Sequence, residues 1–202
     1  LDYIDIPKED NPFLGLRGIR LCLANKEMFK THLRALLRAS MHGEMKIMYP
    51  MISSLEELQT ANYILEECML ELDEENIPYK RNIKVGMMVE VPSAAINSDI
   101  LAKHTDFFSI GTNDLIQYTV AVDRMNEQLL NLYSPYDPAV LRLIKLTAEN
   151  ASKNNIPVSI CGEAASEEAL LPLFLAMGIN SLSMSEEEIL KIRKKVGEFQ
   201  LK

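Results

Sequence analysis

Five short apolar runs, at residues 46–52, 85–91, 106–110, 158–161 and 181–184, recur along the chain, and a stretch of helical periodicity follows each. Strands that alternate with helices in this way form parallel βα units, because each crossover helix must pack back onto the sheet. The runs show no sustained polar alternation, which predicts strands covered on both faces. Between them, residues 26–40 place Phe29, Leu33, Leu36 and Leu37 at helical spacing, with Asn25 as N-cap and Gly43 past the end. Ser54 and Glu57 make a capping-box pair ahead of a second amphipathic helix carrying Leu55, Leu58, Leu65, Met69 and Leu72. Further helices are predicted at 93–101, at 114–122, at 138–150 behind the N-cap Asp137, at 167–177, and after Ser185 with Glu188 completing its cap. Residues 1–20, punctuated by Pro7, Pro12, Gly15 and Gly18, read as irregular, and residues 73–84 as a surface excursion.

At 202 residues, 48% hydrophobic and 25% charged, the chain is long enough for one sizeable core, and no run reaches the ~18 apolar residues of a membrane span. Its 21 basic and 29 acidic side chains give a net charge of -8, which disfavours nucleic-acid binding through the phosphate backbone but permits a local basic pocket for a small anion. Cys22, Cys68 and Cys161 have neither metal-ligand spacing nor an even count, and are expected to be reduced thiols in a cytoplasmic protein. The chain begins at Leu1 with no targeting segment, and is expected to be a piece of something longer.

Ligands of parallel α/β folds bind at the carboxyl ends of the strands. Those positions hold Tyr49 and Pro50, Glu90, Asn113 and Asp114, Cys161 and Glu163, and Ser183 and Ser185. Glu90 and Asp114 end neighbouring runs and suit a hard divalent ion such as Mg²⁺, whereas the alternative for Glu90 is an arginine partner inside the fold. The turn Gly111-Thr112-Asn113-Asp114 either holds a phosphate and its counterion or simply caps a helix. Arg124 is an anion ligand or a solvated surface residue. Cys161 is a packing residue, or a thiol that exchanges a proton at the mouth shared with Glu90 and Asp114. His32, His42 and His104 miss the strand ends, which argues against a histidine nucleophile or a zinc site in this chain.

The motifs Asn11-Pro12-Phe13-Leu14-Gly15-Leu16-Arg17, Met48-Tyr49-Pro50-Met51, Val89-Glu90-Val91-Pro92-Ser93-Ala94-Ala95, Ser109-Ile110-Gly111-Thr112-Asn113-Asp114-Leu115, Ala121-Val122-Asp123-Arg124, Cys161-Gly162-Glu163 and Ser183-Met184-Ser185 run nearly end to end. In content and order they resemble the phosphoenolpyruvate-binding domain of Enzyme I of the bacterial sugar phosphotransferase system. The Gly111 to Leu115 and Cys161 to Glu163 motifs are shared with pyruvate phosphate dikinase and phosphoenolpyruvate synthase, but residues 117–124 followed by Leu132-Tyr133-Ser134-Pro135 look more like Enzyme I.

The resemblance implies a (β/α)₈ TIM barrel of the phosphoenolpyruvate/pyruvate type, of which residues 1–202 form a fragment with about five parallel strands and the N-terminal strands missing. It implies that Glu90 and Asp114 hold Mg²⁺, that Asn113, Asp114 and Arg124 bind substrate with Arg17 nearby, and that Cys161 protonates the methylene carbon of the departing enolpyruvate. It also implies transfer of the phosphoryl group to a histidine on a separate N-terminal domain and, through it, to the small phosphocarrier protein HPr, as the first step of sugar uptake. The family's missing strands carry two more substrate arginines, so the isolated chain is expected to lack complete phosphotransfer capacity. A cytoplasmic homodimer is expected, with no nucleic-acid partner and no membrane insertion. Alternatives are the corresponding domain of a dikinase or synthase, or a non-catalytic segment whose remaining role is dimerisation.

Overall fold

The computed structural model describes residues 9–199. The expected irregularity of the first residues, including Pro7, falls partly outside that range. Five parallel strands form one sheet in sequential order: β1 (Lys46–Tyr49), β2 (Lys84–Val89), β3 (Phe107–Gly111), β4 (Val158–Cys161) and β5 (Ser181–Ser183). Helices α1 (Ile19–Ala24) and α2 (Lys26–Ala39) precede β1, and α3 (Leu55–Glu74) follows it. Next come α4 (Pro92–Ile96) and α5 (Ser98–Leu101) after β2, α6 (Thr112–Val120) and α7 (Pro138–Lys153) after β3, α8 (Leu171–Ala176) after β4 and α9 (Glu186–Glu198) after β5. The sheet does not close among the described residues, and its strand order is that of consecutive βα units in a barrel.

Strands β1, β4 and β5 are covered on one face, not two, whereas β3 at the centre of the sheet is buried on both. Ile47 and Tyr49, Met87 and Val89, Phe108 and Ile110, and Val158 and Ile160 are buried in the core. The alternate positions, Lys46 and Met48, Ser159 and Cys161, and Ser181 and Ser183, are exposed or half-buried. In these outer strands this is the period-two pattern of one packed face, carried by serine, cysteine and lysine within runs that otherwise read as apolar. Tyr49 belongs to the packed face, where its hydroxyl donates to the Ala61 carbonyl at 3.4 Å, so this strand-end residue points away from the mouth.

Local chemistry explains most element boundaries. Ser54 Oγ accepts the Glu57 N–H at 3.2 Å, and the Glu57 carboxylate accepts the Ser54 N–H at 3.3 Å, completing the predicted capping box of α3. Asp137 caps α7 as predicted, accepting from Ala139 and Val140. Asn25 differs from expectation: its side-chain amide donates to Leu21 O at 3.0 Å and closes the end of α1, a helix that begins within the stretch read as irregular. Ser185 stands at the N-cap of α9 but makes no side-chain cap bond. Helices α2 and α3 are joined across their outer faces by Lys26–Glu67 at 2.8 Å, Arg34–Glu71 at 3.1 Å and Lys30–Glu71.

Because the Ser54 hydroxyl satisfies an otherwise orphaned helix N–H, Ser54→Ala is expected to lower stability by about 1 kcal/mol. Urea unfolding monitored by circular dichroism measures this as a lower midpoint with an unchanged slope.

Candidate functional site

The parallel register brings the chemistry together. Val89 pairs with Ile110, and Gly111 with Cys161, so Glu90, Asn113, Asp114 and Cys161 all emerge at the carboxyl edge of the sheet within three adjacent strands. Gly111 is required there by space: a Cβ on it would lie 2.9 Å from Glu90 Oε2 and 2.8 Å from Met88 Sδ. Gly162 follows β4 at φ 93°, and a Cβ on it would meet Thr112 Oγ1 at 2.6 Å and Asn113 Oδ1 at 2.7 Å. The two strand ends are strapped across this gap, since Thr112 Oγ1 donates to Cys161 O at 2.8 Å and Asn113 Oδ1 accepts the Glu163 N–H at 3.0 Å. Asn113 and Asp114 therefore sit in the first turn of α6, where neither side chain caps the helix.

Asp114 lies between two arginines. Arg17 Nη1 is 3.4 Å from its Oδ1, and Arg124 Nη1 is 3.9 Å from its Oδ2. Three side chains aim these groups. The Tyr118 hydroxyl accepts from Arg17 at 3.2 Å and donates to Phe13 O, anchoring the N-terminal segment against α6. Tyr133 donates to Asn113 O at 3.0 Å. Gln117 Oε1 accepts the Arg124 N–H at 3.1 Å, just after Ala121 reverses the chain in the left-handed region at φ 55°. A left-handed alanine costs about 1–2 kcal/mol, a strain characteristic of functional turns.

Glu90 is only 5% exposed, and its carboxylate takes the Met51 N–H at 2.7 Å. Burial pushes its pKa up to about 7, opposed by the Met51 N–H and reinforced by the neighbouring Asp114 carboxylate. Among the described residues no arginine forms an ion pair with Glu90; Arg17 pairs with Asp114 and acts on Glu90 only as a nearby charge. Two neighbouring carboxylates, one of them buried, are a fitting donor set for a hard cation. Among the described residues no cluster of three or more His, Cys, Asp or Glu side chains is placed to hold a metal. Such an ion would thus complete its shell with water and substrate oxygens, the usual arrangement for Mg²⁺.

Cys161 is half-buried, and its sulfur lies 3.5 Å from Ile110 O and 3.6 Å from Ser109 Oγ. Burial raises the thiol pKa, the Ser109 hydrogen bond lowers it, and the Glu90 and Asp114 charges raise it further. At neutral pH the group is a protonated thiol. Beside it, a cleft of about 350 Å³ is lined by Asn113, Cys161, Gly162, Glu163, Ser183 and Ser185.

The six residues given roles from the sequence, Arg17, Glu90, Asn113, Asp114, Arg124 and Cys161, thus lie at or around one mouth, whereas the strand-end Tyr49 does not. Sequence reasoning missed Ser109, Gln117, Tyr118 and Tyr133. Tyr118 carried a readable signal, being four residues beyond Asp114 on the same helical face, and Ser109 another, being two residues before Gly111 on the same side of a strand.

Comparison with known proteins assigns the class. Residues 1–201 match the family described as PEP-utilising enzyme, PEP-binding domain, and the chain belongs to that family. Phosphoenolpyruvate-protein phosphotransferases from Priestia megaterium and Bacillus subtilis (strain 168) are each 52% identical over 196 residues, covering 97% of this chain and 34% of theirs. The one from Mycoplasma capricolum is 50% identical over 193 residues, covering 96% of this chain and 34% of its own. The chain thus spans about a third of the length of these relatives. A crystal structure of a citrate lyase from Burkholderia xenovorans LB400 superposes with a TM-score of 0.61 at 17% identity, covering 82% of this chain and 53% of that one, a likeness of fold. No helix among the described residues is long and apolar enough to cross a membrane.

The raised Glu90 pKa has a consequence for stability. The folded state retains a proton that the unfolded state releases near pH 4.5, so the Glu90 contribution is full below that value and is lost as pH rises to about 7. In metal-free buffer, Glu90→Gln is expected to flatten this fall, as measured by unfolding midpoints across that interval.

Proposed function

We propose that this domain binds phosphoenolpyruvate together with Mg²⁺ at the carboxyl edge of its sheet, as part of a protein that transfers the phosphoryl group to a histidine on a separate N-terminal domain. The observation that carries this reading is the convergence of two carboxylates, one of them buried, two arginines and a thiol on one mouth. Glu90 and Asp114 hold the cation, which when bound offsets negative charge on the phosphoryl group and the substrate carboxylate. Arg17 and Arg124 supply a cationic rim that can exchange Asp114 for substrate oxygens. Asn113 spends its Oδ1 on the Glu163 N–H, which leaves its amide N–H groups to donate to a substrate anion.

Phosphoryl transfer leaves the enolate of pyruvate, and its conversion to pyruvate needs a proton on the methylene carbon. The Cys161 thiol provides it: the S–H bond breaks, the C–H bond forms, and the electron pair stays on sulfur. A donor must hold its proton until that moment, which is the state that burial and the two nearby carboxylates favour.

The formal charges of Arg17, Arg124, Glu90 and Asp114 cancel, so a multiply charged anion with a divalent cation leaves residual negative charge in the site. The full site on this reading takes further cations from segments outside the chain, such as the two arginines implied by the resemblance to Enzyme I. The same reading gives the parent protein a place at the head of sugar uptake through HPr, as a cytoplasmic homodimer.

Isothermal titration of the chain with phosphoenolpyruvate is expected to detect binding with Mg²⁺ and much weaker binding in EDTA. Glu90→Gln and Asp114→Asn are each expected to weaken the Mg²⁺-dependent part tenfold or more, an effect of about 1.4 kcal/mol or greater. No heat with or without Mg²⁺ would make the chain by itself a structural unit. In the full-length protein, Cys161→Ala is expected to leave substrate binding nearly intact and to slow turnover by about 100-fold or more. Unchanged pyruvate release would remove Cys161 from the mechanism.

A further inference from the structure

Ser109 is 6% exposed, on the third position of β3, between Phe108 and Ile110 on the packed face. A hydroxyl buried in so apolar a strand needs a partner, and among the described residues its Oγ meets one group, the Cys161 sulfur at 3.6 Å. The sulfur in turn lies 3.5 Å from the Ile110 carbonyl. These two contacts have opposite senses. The carbonyl oxygen accepts the S–H, and the Ser109 O–H points its hydrogen at a sulfur lone pair. The contact follows from register: Ser109 pairs with Ser159, and Gly111 with Cys161, which sets the serine one step below the thiol on the same face.

We infer that Ser109 is a positioning residue for the Cys161 thiol, orienting it as a proton donor and receiving the charge that remains on sulfur once the proton has left. The inference rests on the reading of Cys161 given above. In the resting state the thiol is pinned between the Ser109 hydroxyl and the Ile110 carbonyl. When the S–H turns from that carbonyl to the methylene carbon, the serine hydrogen bond keeps the sulfur in place. After transfer the sulfur is an anion, and a hydrogen bond to an anion is roughly twice as strong as one between neutral groups. The bond therefore strengthens along the reaction, which is the property that lowers a barrier. Of the charged groups that face the sulfur, Glu90 and Asp114 both oppose the thiolate, and both arginines at the mouth lie against Asp114. Ser109 is the dipole placed to favour the thiolate.

The S–H stretching band in the Raman spectrum of the purified chain tests this directly, with Cys161→Ala assigning one band among three thiols. Ser109→Ala is expected to shift the Cys161 band toward that of a less hydrogen-bonded thiol and to leave the Cys22 and Cys68 bands in place, which also reports intact packing elsewhere. Ser109→Thr, which keeps the hydroxyl, is expected to retain the wild-type band. Alkylation by iodoacetamide at mildly alkaline pH, resolved by peptide mass spectrometry, is expected to slow several-fold at Cys161 in Ser109→Ala. A Cys161 band and an alkylation rate both unchanged in Ser109→Ala would overturn the assignment of Ser109 while leaving the role of Cys161 standing. Failure of that role registers separately, in the turnover of Cys161→Ala.

Discussion

Asp114 between Arg17 and Arg124, with buried Glu90 at its side, is the interaction on which the rest of the site depends. A carboxylate pair in a poorly solvated place is unfavourable by itself, and here the protein manages it in two ways. Asp114 is flanked by cations. Glu90 takes a backbone N–H from Met51 and shifts toward its neutral form. Each device draws a distant segment inward. Arg17 brings the N-terminal segment across α6, Met51 adopts a left-handed conformation at φ 58° at the end of β1, and Arg124 requires the reversal at Ala121. Arrangements held in tension like this are what a site for a cation and an anion needs, because ligand charges relieve the repulsion that the unliganded protein must balance internally.

The order and type of the elements were legible because short strands and amphipathic helices differ in period, and because Ser54–Glu57 and Asp137 carry side-chain caps with a fixed sequence spacing. The strand ends were legible for the same reason, and with them Glu90, Asp114 and Cys161. What escaped has a common cause. Asn25 looked like an N-cap, but its backbone joins two helices, and the tertiary placement of α1 gave its amide a better partner behind it than ahead. The one-sided covering of the outer strands escaped because Ser159, Ser181 and Ser183 are few and short, and do not break the apolar character of their runs. Gln117 and Tyr133 act through partners 7 and 20 positions away, and no local pattern marks such contacts.

The straps between β3 and β4 explain why a glycine follows the cysteine. Thr112 and Asn113 reach back over the end of β4, and any side chain at Gly162 would displace them. The thiol, the amide and the carboxylate are thus held by one hydrogen-bonded corner rather than by three independent loops. Groups fixed in this way keep their separations while the outer cleft, lined by Ser183 and Ser185, remains open to solvent.

The outermost strands have a bearing on how such a sheet behaves in a crowded solution. Lys46–Tyr49 supplies four residues and Ser181–Ser183 three, and among the described residues each has one side without a strand neighbour. An intruding chain that paired with either edge would gain only a few backbone hydrogen bonds before the template ran out, and Lys46 would meet it with a charge. In a barrel built of such βα units these same margins are the places where neighbouring strands pair, each bringing its own strand, helix and packed face.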